Sequence, residues 1–480
     1  MVVGDIAMGT EVIVIGAGPG GYVAAIRAAQ LGKDVTLVDA APTLGGICLN
    51  HGCIPSKALI HAAGVYHGLK HGARYGISVK EATIDVAALQ GWKAEVVAKL
   101  TGGVAQWGET HGVNVLQGKA TFTGKRSVRV EAEHGVNNID FEDAIVATGS
   151  KSIELSALPF DGETVIGSRQ ALALERAPTS LLVVGGGYIG LELAMVYAKL
   201  GSQVTVVELM DSVLPGFEAD LVRPVAKQLE ALGVEVLTKS KASGLKKGKG
   251  GASVKVETPD GEKTLKAETV LVCVSRRPNT DGLDLAAAGV NVDEKGFIPV
   301  DAQMRTNAPN IYAIGDVAGQ PMLAHKASKE GIVAAEVIAG LPSAADFQAM
   351  PAVVFTDPEI ATVGMTEAQA KAAGITPKVG KFPFPALGRA LTTGAPEGFV
   401  RIVSDAETDV VLGAQIVGHE VSNLISEVAL AIELAATTED LALTVHPHPT
   451  MSEGLMEAAE VVLGHPIHIV LPKRKAGNPA

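Results

Sequence analysis

Two of the three cysteines in this 480-residue chain, Cys48 and Cys53, lie in the segment GGICLNHGCIPSKALIH and are separated by four residues. Pro55 favours the first turn of a helix, where its missing N–H costs nothing. The pattern therefore predicts Cys53 just before a helix N-terminus, where the helix dipole lowers the pKa of a thiol and favours a thiolate. Taken alone, the segment fits a redox pair, half of a metal site, or two buried small hydrophobic residues.

Composition excludes several classes of function. The chain is 47% hydrophobic and 19% charged, as globular proteins are, and its length predicts three or four domains. Three cysteines are too few for a disulfide scaffold, so we expect any disulfide to be catalytic. The formal net charge of -12 argues against nucleic acid as a partner. No apolar run has the length of a membrane helix, and the apolar segment ending at Ile15 lacks a basic leader and a cleavage site, so we expect no membrane partner and a cytoplasmic location.

A first dinucleotide fingerprint follows the apolar run 11–15. Gly16 permits a tight turn, Gly18 lets the backbone approach a pyrophosphate at a helix N-terminus, and Gly21 allows close packing of helix on strand. Asp39 ends the next predicted strand and is placed to accept a hydrogen bond from a ribose hydroxyl. The alternative is a glycine-rich turn that only packs tightly. The strand, turn, helix, strand and acid in order favour a dinucleotide site.

The same unit recurs later in the chain. Gly185, Gly187, Gly190 and the acid Glu208 each lie 169 positions after their counterparts in the first unit. Two such units predict two dinucleotides, and a pair held by one chain indicates hydride or electron transfer between them. A carboxylate bonds the 2′-hydroxyl of NAD and repels the 2′-phosphate of NADP, so Glu208 favours NAD. The alternative for Glu208 is a solvated residue at a strand end.

Other segments are less specific. A helix is predicted over 86–111, and the lysine-rich run 246–251 is interpreted as a solvated hairpin tip without function. Cys273 lies in an apolar strand and is predicted to be a core residue without thiol chemistry. From about residue 350, alternating strands and helices predict a separate α+β domain, of a kind that often serves association.

The segment HPHPTMSE places His446 and His448 in a proline-rich turn ahead of a helix. An imidazole held by a carboxylate is a common general base, and Glu453 is near enough in sequence to orient one of the two rings. From the residues alone, a rigid turn with a surface histidine is the more common outcome of such a pattern, and metal binding lacks a clear third ligand.

Together these motifs resemble the flavin-dependent pyridine nucleotide-disulfide oxidoreductases, and among them most closely the dihydrolipoamide dehydrogenases. The resemblance runs from Val12 to about Leu463 and rests on the cysteine segment, both fingerprints, the triplet 147–149, TNAPNIYAIGD and HPHPTMSE. It implies an α/β fold with two Rossmann-like dinucleotide-binding domains and a C-terminal α+β dimerisation domain. The implied domains are an FAD-binding domain at 1–150, an NAD-binding domain at 151–277, a central domain at 278–349 that completes the FAD site, and an interface domain at 350–480.

The resemblance also implies roles for single residues. Cys48 matches the thiol that exchanges with substrate, and Cys53 matches the thiolate against the flavin. His448 matches the base, Glu453 its orienting acid, and His446 is left without a role. The other implied sites are Lys57 beside the flavin with Glu192 as its ion-pair partner; FAD contacts at Gly16, Gly18, Gly21, Asp39, Lys57, Thr148, Gly149 and Asp316; and NAD contacts at Gly185, Gly187, Tyr188, Gly190 and Glu208.

Dihydrolipoamide oxidation with NAD is therefore the expected activity, in a homodimer that serves the lipoyl domains and acyltransferase core of a 2-oxo acid dehydrogenase complex or the glycine cleavage system. Glutathione reductase and mercuric reductase are the alternatives of the same fold. Glu208 opposes the first, which prefers NADP, and the lack of C-terminal cysteines opposes the second. A flavoprotein with mainly a docking role is a further alternative. Three positions depart from the family pattern: Ser275, Pro447 and Tyr188, the last matching by analogy with glutathione reductase.

Overall fold

A computed structural model describes residues 7–471, so the ends of the two predicted terminal domains, 1–6 and 472–480, lie outside the described residues. Over residues 7–471, no helix combines the length and the apolar character that a membrane crossing requires.

Helices are found throughout this range: α1 (Pro19–Gln30), α2 (Gly46–His51), α3 (Cys53–Lys70), α4 (Val86–Thr110), α5 (Ser168–Ala171), α6 (Tyr188–Lys199), α7 (Ala219–Ala231), α8 (Ala324–Ile338), α9 (Glu367–Ala372), α10 (Gly388–Thr392), α11 (Ile425–Glu433), α12 (Thr438–Leu443) and α13 (Glu453–Leu463). The predicted helix over 86–111 is confirmed as α4, whose first turn is capped by Asp85.

The strands are β1 (Ala7–Ile15), β2 (Val35–Asp39), β3 (Asn114–Gln117), β4 (Lys119–Gly124), β5 (Ser127–Ala132), β6 (Gly135–Val146), β7 (Ser150–Ser152), β8 (Val165–Ile166), β9 (Ser180–Val184), β10 (Gln203–Val207), β11 (Glu235–Leu237), β12 (Lys241–Gly248), β13 (Gly251–Thr258), β14 (Gly261–Ala267), β15 (Thr269–Val272), β16 (Arg276–Pro278), β17 (Ile311–Ala313), β18 (Ala352–Val354), β19 (Glu359–Gly364), β20 (Pro377–Pro383), β21 (Phe399–Asp405) and β22 (Val411–Gly418).

The described chain divides into two compact units. The first comprises the described part of Met1–Gly185 together with Lys199–Val207 and Ser240–Asp346. Its main sheet has the order β3-β2-β1-β6-β5-β4, with β17 also paired to β6. Strands β3, β2, β1, β6 and β17 run parallel, and residues 12–15 of β1 are buried, as in a parallel sheet covered on both faces. This is the Rossmann-like half that carries the first fingerprint.

Helices α1 and α8 pack together in this unit. The buried face of α1 consists of small residues, among them Gly20 and Ala24. A Cβ on Gly331 of α8 would stand 2.6 Å from the carbonyl oxygen of Gly20, so the two backbones approach at a distance that only glycine allows. This packing places the start of α8 beside the first nucleotide turn.

A second sheet in the same unit has the parallel order β10-β9-β15-β8 and carries the second fingerprint at the end of β9. Beside it, β12, β13 and β14 form an antiparallel meander. The hairpin predicted for 246–251 is confirmed, because β12 and β13 pair across it and its tip is exposed.

The second unit comprises Gly186–Ala198, Glu208–Lys239 and the described part of Phe347–Ala480. Its five-stranded antiparallel sheet has the order β18-β19-β22-β21-β20, and α13 packs against β20 and β21. Its core is centred on large buried side chains such as Phe382, Phe384 and Ile402. The α+β domain expected from about residue 350 is confirmed.

The helix after the cysteine segment starts earlier than the sequence predicts. Helix α3 begins at Cys53, so Pro55 is its third residue rather than its first. The N–H groups of a first turn have no partner within the helix, so a proline is tolerated at the third position as well. The carbonyl of Gly52 accepts the first helical hydrogen bond, from Ser56 at 3.0 Å. Cys53 thus lies in the first turn of α3, still at the positive end of the helix.

Candidate active site

The turn after β1 is built for close approach of a ligand. Gly16 has a φ of +103°, and a Cβ there would stand 2.4 Å from the carbonyl oxygen of Ala147. A Cβ on Gly21 would stand 1.8 Å from the carbonyl oxygen of Gly16. Gly18 differs, because no described atom lies within 4 Å of its Cβ position. The turn therefore requires glycine at two positions and leaves backbone open at the third, where the FAD pyrophosphate is predicted.

Asp39, at the end of β2, fixes this turn. Its Oδ2 accepts the N–H of Ala17 at 2.5 Å, and its Oδ1 accepts the N–H of Ala41 at 2.7 Å. A carboxylate can accept about four hydrogen bonds, so two backbone donors leave capacity for the ribose hydroxyls.

The second fingerprint has the same construction. Gly185 has a φ of +109°, and its Cβ would stand 2.4 Å from the carbonyl oxygen of Cys273. A Cβ on Gly187, like one on Gly18, would have no neighbouring atom of the described residues within 4 Å. The carboxylate of Glu208 accepts N–H groups from Gly186 at 2.6 Å and Met210 at 2.7 Å. These two donors lie 169 positions after Ala17 and Ala41, so the repeat extends to its hydrogen bonds.

Other predicted NAD contacts lie on α6, which begins at Tyr188 and contains Gly190. The side chain of Tyr188 is exposed. Glu208 is 6% exposed, so its interpretation as a solvated residue is wrong. Burial raises the pKa of Cys273 to about 12, which keeps this thiol protonated at neutral pH.

The remaining predicted FAD contacts lie together in the first unit. Thr148 Oγ1 donates to the carbonyl of Asn279 at 2.8 Å, and Asn279 N–H donates to the carbonyl of Gly149 at 2.9 Å. Asp316, just after β17, accepts a hydrogen bond from Ser150 Oγ. These contacts tie the triplet 147–149 to the segment after β16.

Sequence reasoning missed the support beneath Asp316. Lys326 and Glu330 form a buried ion pair on α8, with Nζ 2.8 Å from Oε1. Glu330 Oε2 accepts the N–H of Gly315 at 2.7 Å, and Lys326 Nζ donates to the carbonyl of Gly319 at 3.3 Å. The pair thus holds the turn around Asp316. A Lys and a Glu four residues apart usually indicate a solvated helix face, so the sequence carries no specific signal for it.

The cysteine segment lies directly on the first nucleotide turn. A Cβ on Gly46 would stand 2.5 Å from Cα of Gly18, and Gly45 N–H donates to the carbonyl of Ala17 at 2.8 Å. Cys48 follows on α2, and Cys53 opens α3. Both thiols are therefore held beside the predicted flavin site.

The two thiols interact with each other. A hydrogen bond between Cys48 and the Cys53 thiol, and then burial, raise the pKa of Cys48, whereas the charge of Lys57 acts in the opposite direction. Burial, and then Cys48, raise the pKa of Tyr22 on α1, which places Cys48 near the start of that helix. Cys53 is exposed, so the interpretation of the pair as buried hydrophobic residues is wrong.

Lys57 and Glu192 belong to different units. Lys57 follows Cys53 by one helical turn on α3, so the two project from one face. Glu192 is buried on α6, and its Oε1 accepts the N–H of Phe355 at 3.0 Å. Their ion pair stays a prediction.

The HPHPTMSE segment contains a preorganised imidazole. Nδ1 of His448 lies 2.8 Å from Oε1 of Glu453, and Oε2 accepts the N–H of Thr450 at 2.8 Å. Burial raises the pKa of Glu453, but the hydrogen bonds from Thr450 and His448 outweigh it, and the net pKa is lowered. The His448 side chain is 77% exposed. This geometry presents Nε2 of an oriented imidazole to an incoming group.

Known proteins are similar to this chain along nearly its whole length. The family profile described as pyridine nucleotide-disulphide oxidoreductase matches residues 10–331, and the profile of that family's dimerisation domain matches residues 350–459. The chain is 53% identical to a dihydrolipoyl dehydrogenase of Haloferax volcanii, over 98% of this chain and 99% of that protein. It is 50% identical to a dihydrolipoyl dehydrogenase of Bacillus subtilis, over 98% of this chain and all of that protein.

Solved structures are similar along nearly the whole chain. The crystal structure of LpdA from Mycobacterium tuberculosis has a TM-score of 0.87 at 29% identity, covering 94% of this chain and 99% of that one. The HOCl-induced flavoprotein disulfide reductase RclA of Escherichia coli has a TM-score of 0.84 at 28% identity, covering 94% of this chain and all of that one.

Proposed function

Because the chain belongs to the pyridine nucleotide-disulphide oxidoreductase family, we propose that it oxidises dihydrolipoamide to lipoamide through Cys48 and Cys53 and reduces NAD. One observation carries the proposal: the two thiols lie on the first nucleotide turn of a chain about half identical, end to end, to dihydrolipoyl dehydrogenases. FAD and NAD are its cofactors. Held at the turn around Gly16 and Gly18, FAD would supply the two-electron redox chemistry that links the thiol pair to NAD.

The protein's own part is thiol-disulfide exchange. In the oxidised enzyme Cys48 and Cys53 form a disulfide, and His448 removes a proton from one thiol of dihydrolipoamide. The resulting thiolate attacks Cys48, the bond between Cys48 and Cys53 breaks, and Cys53 leaves as thiolate. The second substrate thiol then displaces Cys48, which releases lipoamide with its ring disulfide closed.

The proposed proton transfers agree with the direction of the pKa shifts of Cys48 and Glu453. Displaced Cys48 leaves as a thiolate and takes up the proton that His448 has carried, and His448 receives the proton of the second substrate thiol in its place. Its raised pKa, caused by the hydrogen bond to Cys53 and by burial, makes Cys48 a good proton acceptor. The lowered pKa of Glu453 keeps that carboxylate ionised, so it stabilises the imidazolium while His448 holds the proton.

The chain carries the family's dimerisation domain, which supports a homodimer. The second unit exposes large apolar side chains, of a kind that a subunit interface buries: Leu430, Leu434, Leu443, Val445 and Ile467. We propose that His448 of one subunit serves the disulfide of the other. Mixed dimers test this: a Cys53→Ser chain paired with a His448→Gln chain contains one intact site only if the base acts across the dimer. Recovered activity supports the proposal, and inactive mixed dimers contradict it.

The partners follow from the substrate. Dihydrolipoamide is attached to lipoyl domains, so we propose that the dimer works with the lipoyl domains and acyltransferase core of a 2-oxo acid dehydrogenase complex, or with the glycine cleavage system. The cytoplasmic location stays a prediction of the sequence. Glu208 supports NAD as the nucleotide, because its buried carboxylate opposes a 2′-phosphate.

A substrate panel tests the proposed function. The purified flavoprotein is assayed with lipoamide, glutathione disulfide and mercuric ion, each with NADH and with NADPH. Turnover with lipoamide and NADH is the expected result. Preference for glutathione disulfide with NADPH, or for mercuric ion, would assign a different reductase of this fold. Bound flavin without disulfide turnover would favour a docking role.

A further inference from the structure

The segment that carries the proposed base contains a second histidine, His446, which the proposed mechanism does not use. Its side chain is only 3% exposed. Nδ1 lies 2.8 Å from the carbonyl oxygen of Thr444, and Nε2 lies 2.8 Å from Oε1 of Glu427 on α11. Both ring nitrogens of this buried side chain are therefore engaged.

These contacts set the chemistry of the ring. A carbonyl oxygen can only accept a hydrogen bond, so Nδ1 of His446 carries a proton. Nε2 then faces the Glu427 carboxylate at hydrogen-bond distance. A paired, hydrogen-bonded contact of this kind is costly to break by removing one partner, because the other is left without its hydrogen bond. His446 thus fastens its segment to α11.

His448 follows two residues later and is constrained differently. Its ring is exposed and is held at one nitrogen by Glu453. Pro447 connects the two histidines, and its ring fixes the φ angle between them. A change in the position of His446 is therefore transmitted to the backbone of His448.

We propose that His446 and Glu427 are a positioning pair, which anchors the segment to α11 so that His448 stays on Glu453 and faces the substrate. This inference rests on the proposed function, in which His448 is the base. The groups that face the two rings are Glu427 from α11 and Glu453 from α13, so the two carboxylates hold the segment from two helices.

The test uses the FAD-loaded dimer with His446→Gln and Glu427→Gln. The matched control is His419→Gln, which removes an exposed histidine 3.8 Å from Glu420 in the same unit. Three readouts are compared: kcat and its pH profile with dihydrolipoamide, reduction of a quinone by NADH through the flavin, and hydrogen exchange of residues 444–453. Quinone reduction bypasses the disulfide and the base, so it reports flavin binding and folding.

His446→Gln is expected to lower kcat with dihydrolipoamide about tenfold or more, as misplacement of a catalytic group does. In this variant the pH profile of kcat is expected to shift and hydrogen exchange of residues 444–453 to accelerate, whereas quinone reduction by NADH is expected to be unchanged. Glu427→Gln keeps one hydrogen bond to the ring and shows a smaller loss, whereas His419→Gln matches the wild type.

Wild-type kcat and pH profile in His446→Gln would overturn the positioning role. Parallel loss of dihydrolipoamide and quinone activities would also overturn it, by showing a general structural role. If the wild type itself fails to oxidise dihydrolipoamide, the proposed function fails. In that case hydrogen exchange of residues 444–453 still tests whether His446 anchors the segment. Faster exchange in His446→Gln supports the anchoring, and unchanged exchange contradicts it.

Discussion

Gly46 lies so close to Gly18 that a Cβ on Gly46 would stand 2.5 Å from Cα of Gly18. This contact joins the cysteine segment to the turn that is predicted to bind FAD. It explains in steric terms why the cysteines follow a glycine pair and how Cys48 comes to lie near the start of α1.

Gly46→Ala is expected to weaken FAD binding and to lower dihydrolipoamide turnover. The added methyl meets backbone that cannot move aside, and Gly46 has a φ of +57°, so the cost is about 1–3 kcal/mol. Flavin retention on gel filtration and the midpoint of thermal unfolding measure it. Gly64→Ala on α3 is the control, because its Cβ has no described neighbour within 4 Å. Equal behaviour of the two variants would contradict the steric account.

Glu453→Gln is expected to lower dihydrolipoamide turnover about a hundredfold, because His448 loses the charge that orients it and stabilises its protonated form. The pKa of Glu453 in the folded protein is lowered from its ordinary value of 4.5, so the ionised carboxylate stabilises the folded protein at pH values above 4.5. This stabilisation is lost as the pH falls through the lowered pKa. The stability difference between wild type and variant should therefore shrink below pH 4.5. Denaturant titrations at several pH values measure it, and a difference that grows in acid would refute the assignment.

Glu208→Gln is expected to raise KM for NAD, because the neutral amide bonds the ribose hydroxyl less strongly than the carboxylate does. It is also expected to reduce the preference for NAD over NADP, because the negative charge that repels a 2′-phosphate is removed. The glutamine oxygen can still accept one backbone N–H. Loss of a hydrogen bond to a charged group costs about 1.5–3 kcal/mol, or roughly 10- to 150-fold in affinity. Steady-state kinetics with both nucleotides measure the ratio. An unchanged ratio would remove Glu208 from nucleotide selection.

Lys326→Met is expected to destabilise the protein by about 3–5 kcal/mol and to release FAD, because it leaves the Glu330 carboxylate buried without a counter-ion. The double variant Lys326→Met, Glu330→Leu removes both charges and should recover much of this stability, although Gly315 N–H then loses its acceptor. Thermal unfolding and flavin fluorescence measure both. A single variant as stable as the wild type would show that the pair does not hold the Asp316 turn.

The sequence predicts the parts of this molecule that depend on local pattern. The strand-turn-helix units around the two glycine turns, α4 and the hairpin at 246–251 follow from periodicity, glycine spacing and turn residues, and the structure confirms these elements. The repeat even extends to the backbone hydrogen bonds of Asp39 and Glu208, although the sequence shows only the two acids.

The parts that the sequence does not predict depend on contacts between distant residues. Ser150 and Asp316 are 166 positions apart, and no local pattern pairs them. Lys326 and Glu330 are close in sequence, but their burial depends on how α8 packs against α1. The start of α3 at Cys53 was missed because proline is tolerated at more than one position of a first turn.

The most direct test of the central claim measures NADH formation from dihydrolipoamide and NAD by the purified wild type and by Cys48→Ser, Cys53→Ser and Cys273→Ser. Cys273 is the matched control, because burial raises its pKa to about 12 and leaves it without thiolate at neutral pH. We expect the first two variants to lose turnover with FAD still bound, and Cys273→Ser to keep it. A Cys53→Ser enzyme with near-normal turnover would contradict the relay through Cys48 and Cys53.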